Sequence, residues 1–413
     1  MPRMTKVLLV SNLFPTPADP ARGIFTARLA AHLQRRCELS VVCPLPWLPG
    51  WSARGPWGRL RALADVPRTY IVDGVLVHSP KYSTVPRLRA IRAQSMFLGI
   101  APTVALLHRK KAFDVINCHW LYPDGLASIW LGQQLGIPVV LTALGSDVNL
   151  LLDDPFVRPR IVRALRRADA ITAVSAGLGR RIALEGLPPD RIAVTVNGVD
   201  TDQFIVSDRA ASAQVLGLPD HDRRILFVGK LERVKGVAYL VDAFARLAAR
   251  DPHLVLYVVG DGLERAALER QVATCGLAAR VRFMGAAHPS RIPLWMGAAD
   301  VFCLPSLHEG CPNVVLEAFA SGRPVVASRV GGVPEMMQPH TGLMAPPGDA
   351  EGLESALELA LHTAWDTEKI RAHAAHRSWE TAADAYCGVY RHVIGQRTAD
   401  IHALRRAAPR IAA

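Results

Sequence analysis

Short apolar runs recur along the first half of the chain, at 7–10, 39–43, 75–78, 115–118, 139–141, 171–174 and 192–196. Helical patterns lie between several of them, for example at 26–35 and 123–135. A short Val/Ile/Leu run bounded by helices reads as a strand buried on both faces, so the pattern predicts an α/β chain with parallel sheets covered by helices. Near 197–205 the pattern breaks. Asn197-Gly198-Val199-Asp200 is a turn signal, and a polar stretch follows to Arg224. A second series of runs then begins, at 225–228, 254–259, 281–283, 301–304 and 325–327. We therefore expect one domain over 1–197 and another over 205–375. A helix over 376–396 follows the second sheet, with a basic, Ala-rich tail at 397–413 that should fray. Residues 44–70, rich in Pro, Trp, Gly and Arg, read as a long surface excursion.

Composition narrows this picture. A chain of 413 residues, half of them hydrophobic, can bury two cores. No apolar run approaches the length of a bilayer span. The chain enters the run at 7–10 and then meets Ser11 and Asn12, which reads as a first strand rather than a signal peptide. Seven cysteines form no Cys-x-x-Cys pair, and several lie in apolar runs, so buried reduced thiols and a cytosolic compartment are expected. The net charge of +12 is unevenly placed. Residues 1–200 hold 25 Lys and Arg against 13 Asp and Glu, whereas 201–413 hold 23 against 23. The basic clusters fall at 54–68, 87–92, 109–111 and 158–167. A basic half suits an anionic membrane surface or an acidic substrate, although solvated arginines account for it equally well. No aromatic interleaving or nucleic-acid motif accompanies it, so no nucleic-acid partner is expected.

The chemistry concentrates at 305–322. There Glu309 and Glu317 bracket a Gly-x-Pro-Asn turn that follows an apolar run and enters an apolar helix. Pro312 fits a helix's first turn. The free N–H groups around Asn313, Val314 and Val315 would form an anion site. Two carboxylates beside an anion site repel it unless they bind something else, and sugar hydroxyls fit that role. Gly229-Lys230-Leu231-Glu232-Arg233-Val234-Lys235-Gly236 adds two lysines on a strand-to-helix loop, which suits a diphosphate leaving group. Gly260-Asp261-Gly262 ends the next strand, where small residues allow close approach of a ligand. Met284, at the end of a third strand, is a candidate wall for a base, or simply a core strand end. Gly331-Gly332-Val333-Pro334-Glu335 is either a second backbone cradle or a plain turn. Asp200/Asp202 and Asp220/Asp222 follow no predicted strand end and read as turn and linker residues, so no metal is expected.

Together these motifs closely resemble the family 4 retaining glycosyltransferases. Their shared pattern is kept at 229–236, 260–262, 305–318 and 331–335, with the Glu-x7-Glu spacing held by Glu309 and Glu317. The resemblance implies the GT-B fold: two Rossmann-like domains with parallel sheets facing a central cleft, an acceptor domain at 1–197 and a nucleotide-sugar donor domain at 205–375. It also implies that the helix at 376–396 returns to the first domain. By position, Lys235 would bind the donor diphosphate, and Lys230 stands where the family usually has Arg, keeping charge without the planar fork. Glu309 would face the donor sugar and Glu317 the ribose. Amides at Asn313, Val314 and Val315 would hold sugar or phosphate. Gly229, Gly260, Gly262 and Met284 would lie near base and diphosphate.

The first half matches more loosely. Gly23, in Pro20-Ala21-Arg22-Gly23, stands in for the family's donor-facing Gly pair. The runs at 117–125 and 141–149 are similar to members that build exopolysaccharide or teichuronic-type chains. Many members place a His just before the Gly of the second run, whereas this chain has Leu144. His119 or Asp147 is the expected substitute at the reaction site; a strand-end His is as often structural. The implied reaction is transfer of a sugar, with retention, from a nucleotide diphosphate sugar to a glycan or polyprenyl-linked acceptor, without a cofactor; the cysteines point to the cytoplasm and the basic first half to the inner membrane face. Alternatives are a nucleotide-sugar epimerase of GT-B layout and a non-catalytic sugar-nucleotide-binding partner. A dinucleotide dehydrogenase would need a Gly-x-Gly-x-x-Gly after the first strand, where Ser11-Asn12-Leu13-Phe14-Pro15 stands instead.

Overall fold

The computed structural model describes residues 3–47, 62–63, 65–84 and 89–407. The chain divides into two compact units. Unit 1 holds the described residues up to Val196 and those from Glu380 onward, and unit 2 is Asn197–Trp379.

In unit 1 the strands are β1 (Lys6–Val10), β2 (Glu38–Val42), β3 (Leu45–Trp47), β4 (Thr69–Val72), β5 (Val75–His78), β6 (Lys81–Ser83), β7 (Val115–His119), β8 (Val139–Ala143), β9 (Ala170–Ala173) and β10 (Ile192–Val194). Eight of them form one sheet in the order β10-β9-β8-β7-β1-β2-β5-β4. Pairing is parallel except for the edge hairpin β4–β5. The inner strands β7, β8 and β9 are buried along their whole length, which is why they read as unbroken apolar runs. β4 lies at the edge with no buried residue and had no apolar run to announce it. β3 and the first two residues of β4 fall inside the stretch expected to be a surface excursion, most of the rest of which, and the basic clusters at 54–68 and 87–92 in part, lie outside the described residues. The strand order reverses between β1 and β7, and in such sheets the crevice at that point receives ligands.

The helix Trp379–Ala407 belongs to unit 1 from Glu380 onward. It buries Tyr386, Tyr390 and Val393. Arg36 pairs with Asp384 at 2.6 Å, and the Asn117 amide donates to the Tyr390 hydroxyl at 2.7 Å. The tail expected from 397 is therefore helical as far as Ala407.

Unit 2 contains β11 (Arg223–Val228), β12 (Leu254–Val259), β13 (Val281–Gly285), β14 (Val301–Leu304), β15 (Val325–Ser328) and β16 (Gly342–Ala345). They form an all-parallel sheet in the order β13-β12-β11-β14-β15-β16, the doubly wound arrangement. Its core includes Phe227, Leu256, Phe302, Val315, Leu316 and Phe319, all fully buried. Each such side chain contributes roughly 1.5–3 kcal/mol relative to exposure. β16 was not anticipated: it is short and only its two ends are buried. Its Gly342 lies so close to β15 that a Cβ would sit 1.9 Å from the Val325 carbonyl oxygen.

Candidate active site

In unit 2 the order reverses between β11 and β14, and the loops leaving these two strands interlock. The β11 loop ends in a short turn, Arg233–Lys235, and at Gly236, whose φ of 64° precedes the helix Val237–Ala248. A Cβ on Gly236 would lie 2.1 Å from the Pro305 carbonyl oxygen, so glycine alone lets the two loops meet. The Leu307 N–H donates to the Val234 carbonyl at 2.8 Å and ties them again.

This contact places the charges. Lys235 Nζ lies 2.7 Å from Glu309 Oε1, and Ser306 Oγ donates to the same oxygen at 2.6 Å. Glu309 is 9% exposed and the Lys235 side chain 25%, so the pair is shielded but reachable. From the far side, Gly331, at φ 53°, would bring a Cβ within 1.9 Å of the Glu309 carbonyl oxygen, and the Gly332 N–H donates to the Gly310 carbonyl at 2.9 Å. These glycines back the Glu309 segment, a role neither of the two readings of that loop had given them.

The glycines after β11 and β12 have a similar role. Gly260, at φ 148°, donates its N–H to the Gly285 carbonyl at 2.8 Å, and a Cβ there would meet the Gly229 oxygen at 1.8 Å. A Cβ on Gly262 would meet the Leu231 oxygen at 2.3 Å. Protein backbone occupies the place where a Cβ would stand on each of these glycines, and the three strand ends are stitched into one rim. Lys230 and Met284 stand exposed on it.

The helix Asn313–Ala320 begins one residue later than anticipated, with Pro312 as its cap. The Val315 N–H is already given to the Pro312 carbonyl at 3.0 Å, and Val315 is fully buried. Val315 is thus no anion donor, and the first-turn amides at Asn313 and Val314 remain for a ligand. Asn313 is fixed by the Asn197 side chain, which donates to its Oδ1 at 2.8 Å. Glu317 lies half-buried one turn further along.

In unit 1, Gly23, at φ 58°, opens the helix Ile24–Leu33, and a Cβ would fall 2.2 Å from the Leu13 oxygen. Arg22 Nε donates to the Asn12 carbonyl at 2.8 Å. Asn12 donates its backbone N–H and side-chain amide to the fully buried Asp124 at 2.6 and 2.5 Å. Burial nevertheless raises that carboxyl to about 7.

Two expectations are corrected here. His119 is not at an open reaction site. It is 1% exposed, stacked on Tyr386 at 5.7 Å, with Nε2 3.2 Å from the Asn117 amide. Burial lowers it to about 3, which keeps it neutral. Asp147 is fully buried, and burial raises it to about 6. It accepts the amides of Leu144 at 3.0 Å, Gly145 at 2.8 Å and Leu121 at 3.2 Å. It therefore positions the Leu144–Gly145 loop rather than facing a substrate.

The sequence reading missed Ser306, although it lies inside the Pro-Ser-x-x-Glu motif, and Trp120, whose φ of 95° marks a strained backbone at the end of β7. All seven cysteines are free thiols, four of them buried. Burial pushes Cys311 up to about 11 and Cys43 to about 12. Among the described residues no three His, Cys, Asp or Glu side chains cluster to hold a metal, and no helix is long and apolar enough to cross a membrane.

Residues 222–363 match the family described as "Glycosyl transferases group 1", and residues 23–203 match "Glycosyltransferase Family 4". The chain is 32% identical over 331 residues to a D-inositol 3-phosphate glycosyltransferase 2 of Catenulispora acidiphila, covering 74% of this chain and 76% of that one. It is 28% identical over 359 residues to a putative teichuronic acid biosynthesis glycosyltransferase, TuaC, of Bacillus subtilis, covering 85% and 88%. Among solved structures, Alr3699/HepE of Anabaena, in complex with UDP and glucose, superposes with a TM-score of 0.70 at 21% identity over 93% of this chain and 99% of that one. A sucrose-phosphate synthase of Thermosynechococcus elongatus does so at 0.69 and 21%, over 98% and 100%. The chain belongs to glycosyltransferase family 4, folds as GT-B enzymes do, and is a glycosyltransferase.

Proposed function

We propose that unit 2 binds a nucleotide diphosphate sugar and unit 1 its acceptor, and that the sugar is transferred with its anomeric configuration retained. The observation that carries this reading is the Lys235–Glu309 pair at the switch point of a doubly wound sheet. Lys235 and Lys230, with the Asn313 and Val314 amides, neutralise the departing diphosphate. Glu309, oriented by Ser306, takes the donor sugar's hydroxyls, and Glu317 takes those of the ribose. Gly229, Gly260 and Gly262 shape the rim, and Met284 offers an apolar surface to the base. Gly23 lets the start of the helix Ile24–Leu33 lie against the loop after β1. The bond from the anomeric carbon to phosphate oxygen breaks, and the acceptor oxygen bonds to that carbon on the same face. The acceptor's proton leaves with the diphosphate oxygen. Lysines and amides supply the charge that a metal supplies elsewhere, so no cofactor is assigned.

The names of similar proteins support the donor and the pathway class. HepE has been solved with UDP and with UDP-glucose, and TuaC is named for teichuronic acid biosynthesis. We assign this enzyme to cell-surface polysaccharide synthesis on a glycan or polyprenyl-linked acceptor, in the cytoplasm at the inner membrane face. The positive charge of the first half carries the membrane assignment. Flotation with anionic vesicles tests it: binding that vanishes with salt is expected, and no binding at low salt would refute it. The donor is tested by thermal shift with UDP-, GDP- and ADP-sugars, because a ligand that binds only the folded chain raises its melting temperature. One nucleotide series should stabilise the wild type and fail to stabilise Glu309→Gln. Equal stabilisation of both would overturn the assignment of Glu309.

A further inference from the structure

Unit 1 contains a cavity of about 430 Å³ at the carboxyl ends of β1 and β7. We infer that it is an anion-recognising acceptor subsite, in which Arg22 and Arg92 hold the carboxylate or phosphate of an acidic saccharide against an aromatic wall. The inference rests on the reading that unit 1 takes the acceptor, and it adds the acceptor's chemical class.

The charge balance of the cavity carries it. Three arginines and one carboxylate line the walls. The carboxylate, Asp154, is already engaged by Arg89 at 2.5 Å. Arg22 gives its Nε to a backbone carbonyl, and its charge also acts on the buried carboxyl of Asp124, which is not one of the lining residues. Arg92 Nε is buried and has no hydrogen-bond partner among the described residues. Leaving a buried donor without an acceptor is costly, and a ligand oxygen is one way to supply it. A guanidinium also meets carboxylate and phosphate with a matching two-pronged geometry. Arg92 is moreover the first residue of the 20-residue helix Arg92–Lys111, which continues the 3-10 turn Arg89–Ile91 and carries no acidic residue in its first turn. Its positive end reinforces the same preference.

The remaining wall suits a sugar. Tyr82, Trp120 and Tyr122 line the cavity. The Tyr122 hydroxyl donates to the Arg89 carbonyl, which fixes the ring. Trp120 is held by its strained backbone and by donating its N–H to the Thr142 carbonyl at 3.1 Å. Rigid aromatic faces beside cations fit a pyranose ring that bears an acidic group.

The test titrates the full-length enzyme with glucuronate, glucose 6-phosphate and glucose, and separately with UDP. Wild type should bind at least one acidic sugar roughly tenfold or more tightly than glucose, and the preferred acid tells carboxylate from phosphate. Arg92→Gln and Arg22→Gln should each weaken that binding by about tenfold, with UDP affinity unchanged. Arg92→Lys, which keeps the charge without the fork, should fall between wild type and Arg92→Gln and covers the case in which Arg92→Gln does not fold. Equal binding of glucose, no saturable binding of either acid, arginine variants that bind the acids like wild type, or displacement of the acids by UDP would each overturn the inference. Failure of UDP to bind would instead count against the donor reading, since the sugar arms are judged on their own.

Discussion

Gly236→Ala probes the contact on which the site is built. The added methyl is opposed in two ways. At φ 64° a non-glycine residue costs about 1–2 kcal/mol. In addition, the Cβ would lie 2.1 Å from the Pro305 carbonyl oxygen, a backbone atom that cannot rotate aside. Separating them to ordinary contact requires a shift of more than about 1 Å in one of two loops anchored on buried strands, of the order of 1–3 kcal/mol by analogy with overpacked cores. The total is about 2–5 kcal/mol. For a unit of this size each kilocalorie lowers the melting temperature by roughly 2–4 °C. Gly276→Ala provides the control: its φ is 69°, but nothing lies within 4 Å of its Cβ, so it carries the backbone cost alone. Differential scanning calorimetry on both variants should show Gly236→Ala melting several degrees below Gly276→Ala. Turnover of a nucleotide sugar should fall further in Gly236→Ala, because Lys235 is carried off Glu309. Equal melting temperatures and equal turnover would show that the Gly236–Pro305 contact does not hold the site, and the geometric argument would fail.

Glu317→Gln should raise the KM for the nucleotide sugar by about tenfold, and a 2′-deoxy donor should lose little more in that variant; an unchanged KM would remove Glu317 from the ribose. His119 has a pKa of about 3 in the fold against 6.5 for the free side chain, so the unfolded chain binds its proton first and stability is lost as pH falls below 6.5. By pH 5 that loss is about 2 kcal/mol. Asp124 and Asp147 work in the opposite sense, since raised carboxyls favour the fold at low pH, and they cancel when wild type is compared with a variant. Urea unfolding at pH 7 and pH 5 should therefore show a smaller acid loss in His119→Gln than in wild type, and equal losses would refute the buried neutral histidine. Tyr390→Phe deprives the buried Asn117 amide of its 2.7 Å partner and should cost about 1–2 kcal/mol. Arg36→Ala, which breaks a solvent-facing pair, should cost less than about 1 kcal/mol; the reverse order would contradict the packing of the last helix.

The central strands were legible because parallel strands buried on both faces write themselves as apolar runs. β4 and β16 were not, because one lies at an edge with half-exposed residues and the other is four residues with buried ends only. The charged members of the candidate site in unit 2 stand in sequence motifs, and the structure brings two of them, Lys235 and Glu309, together. What the motifs did not tell was the reason for each glycine: Gly236, Gly260, Gly262 and Gly331 all answer to neighbouring backbone, which only the three-dimensional approach of two loops reveals. Val315 was misplaced because the helix opens with a tighter i→i−3 bond, which takes up an amide that α-helical spacing alone leaves free. His119 and Asp147 were misread because polarity in a sequence does not report burial. Asp147's three amide partners come from a loop 26 residues away and from its own turn.

The most direct test of the account is the rate of nucleoside diphosphate release from the best nucleotide sugar by Lys235→Met relative to wild type. The methionine fills the same space and keeps the loop, but cannot neutralise a departing diphosphate. The account predicts a fall of roughly hundredfold or more, in line with the loss of one preorganised donor at a developing charge, in a protein that still melts cooperatively. Release at the wild-type rate by folded Lys235→Met would contradict it.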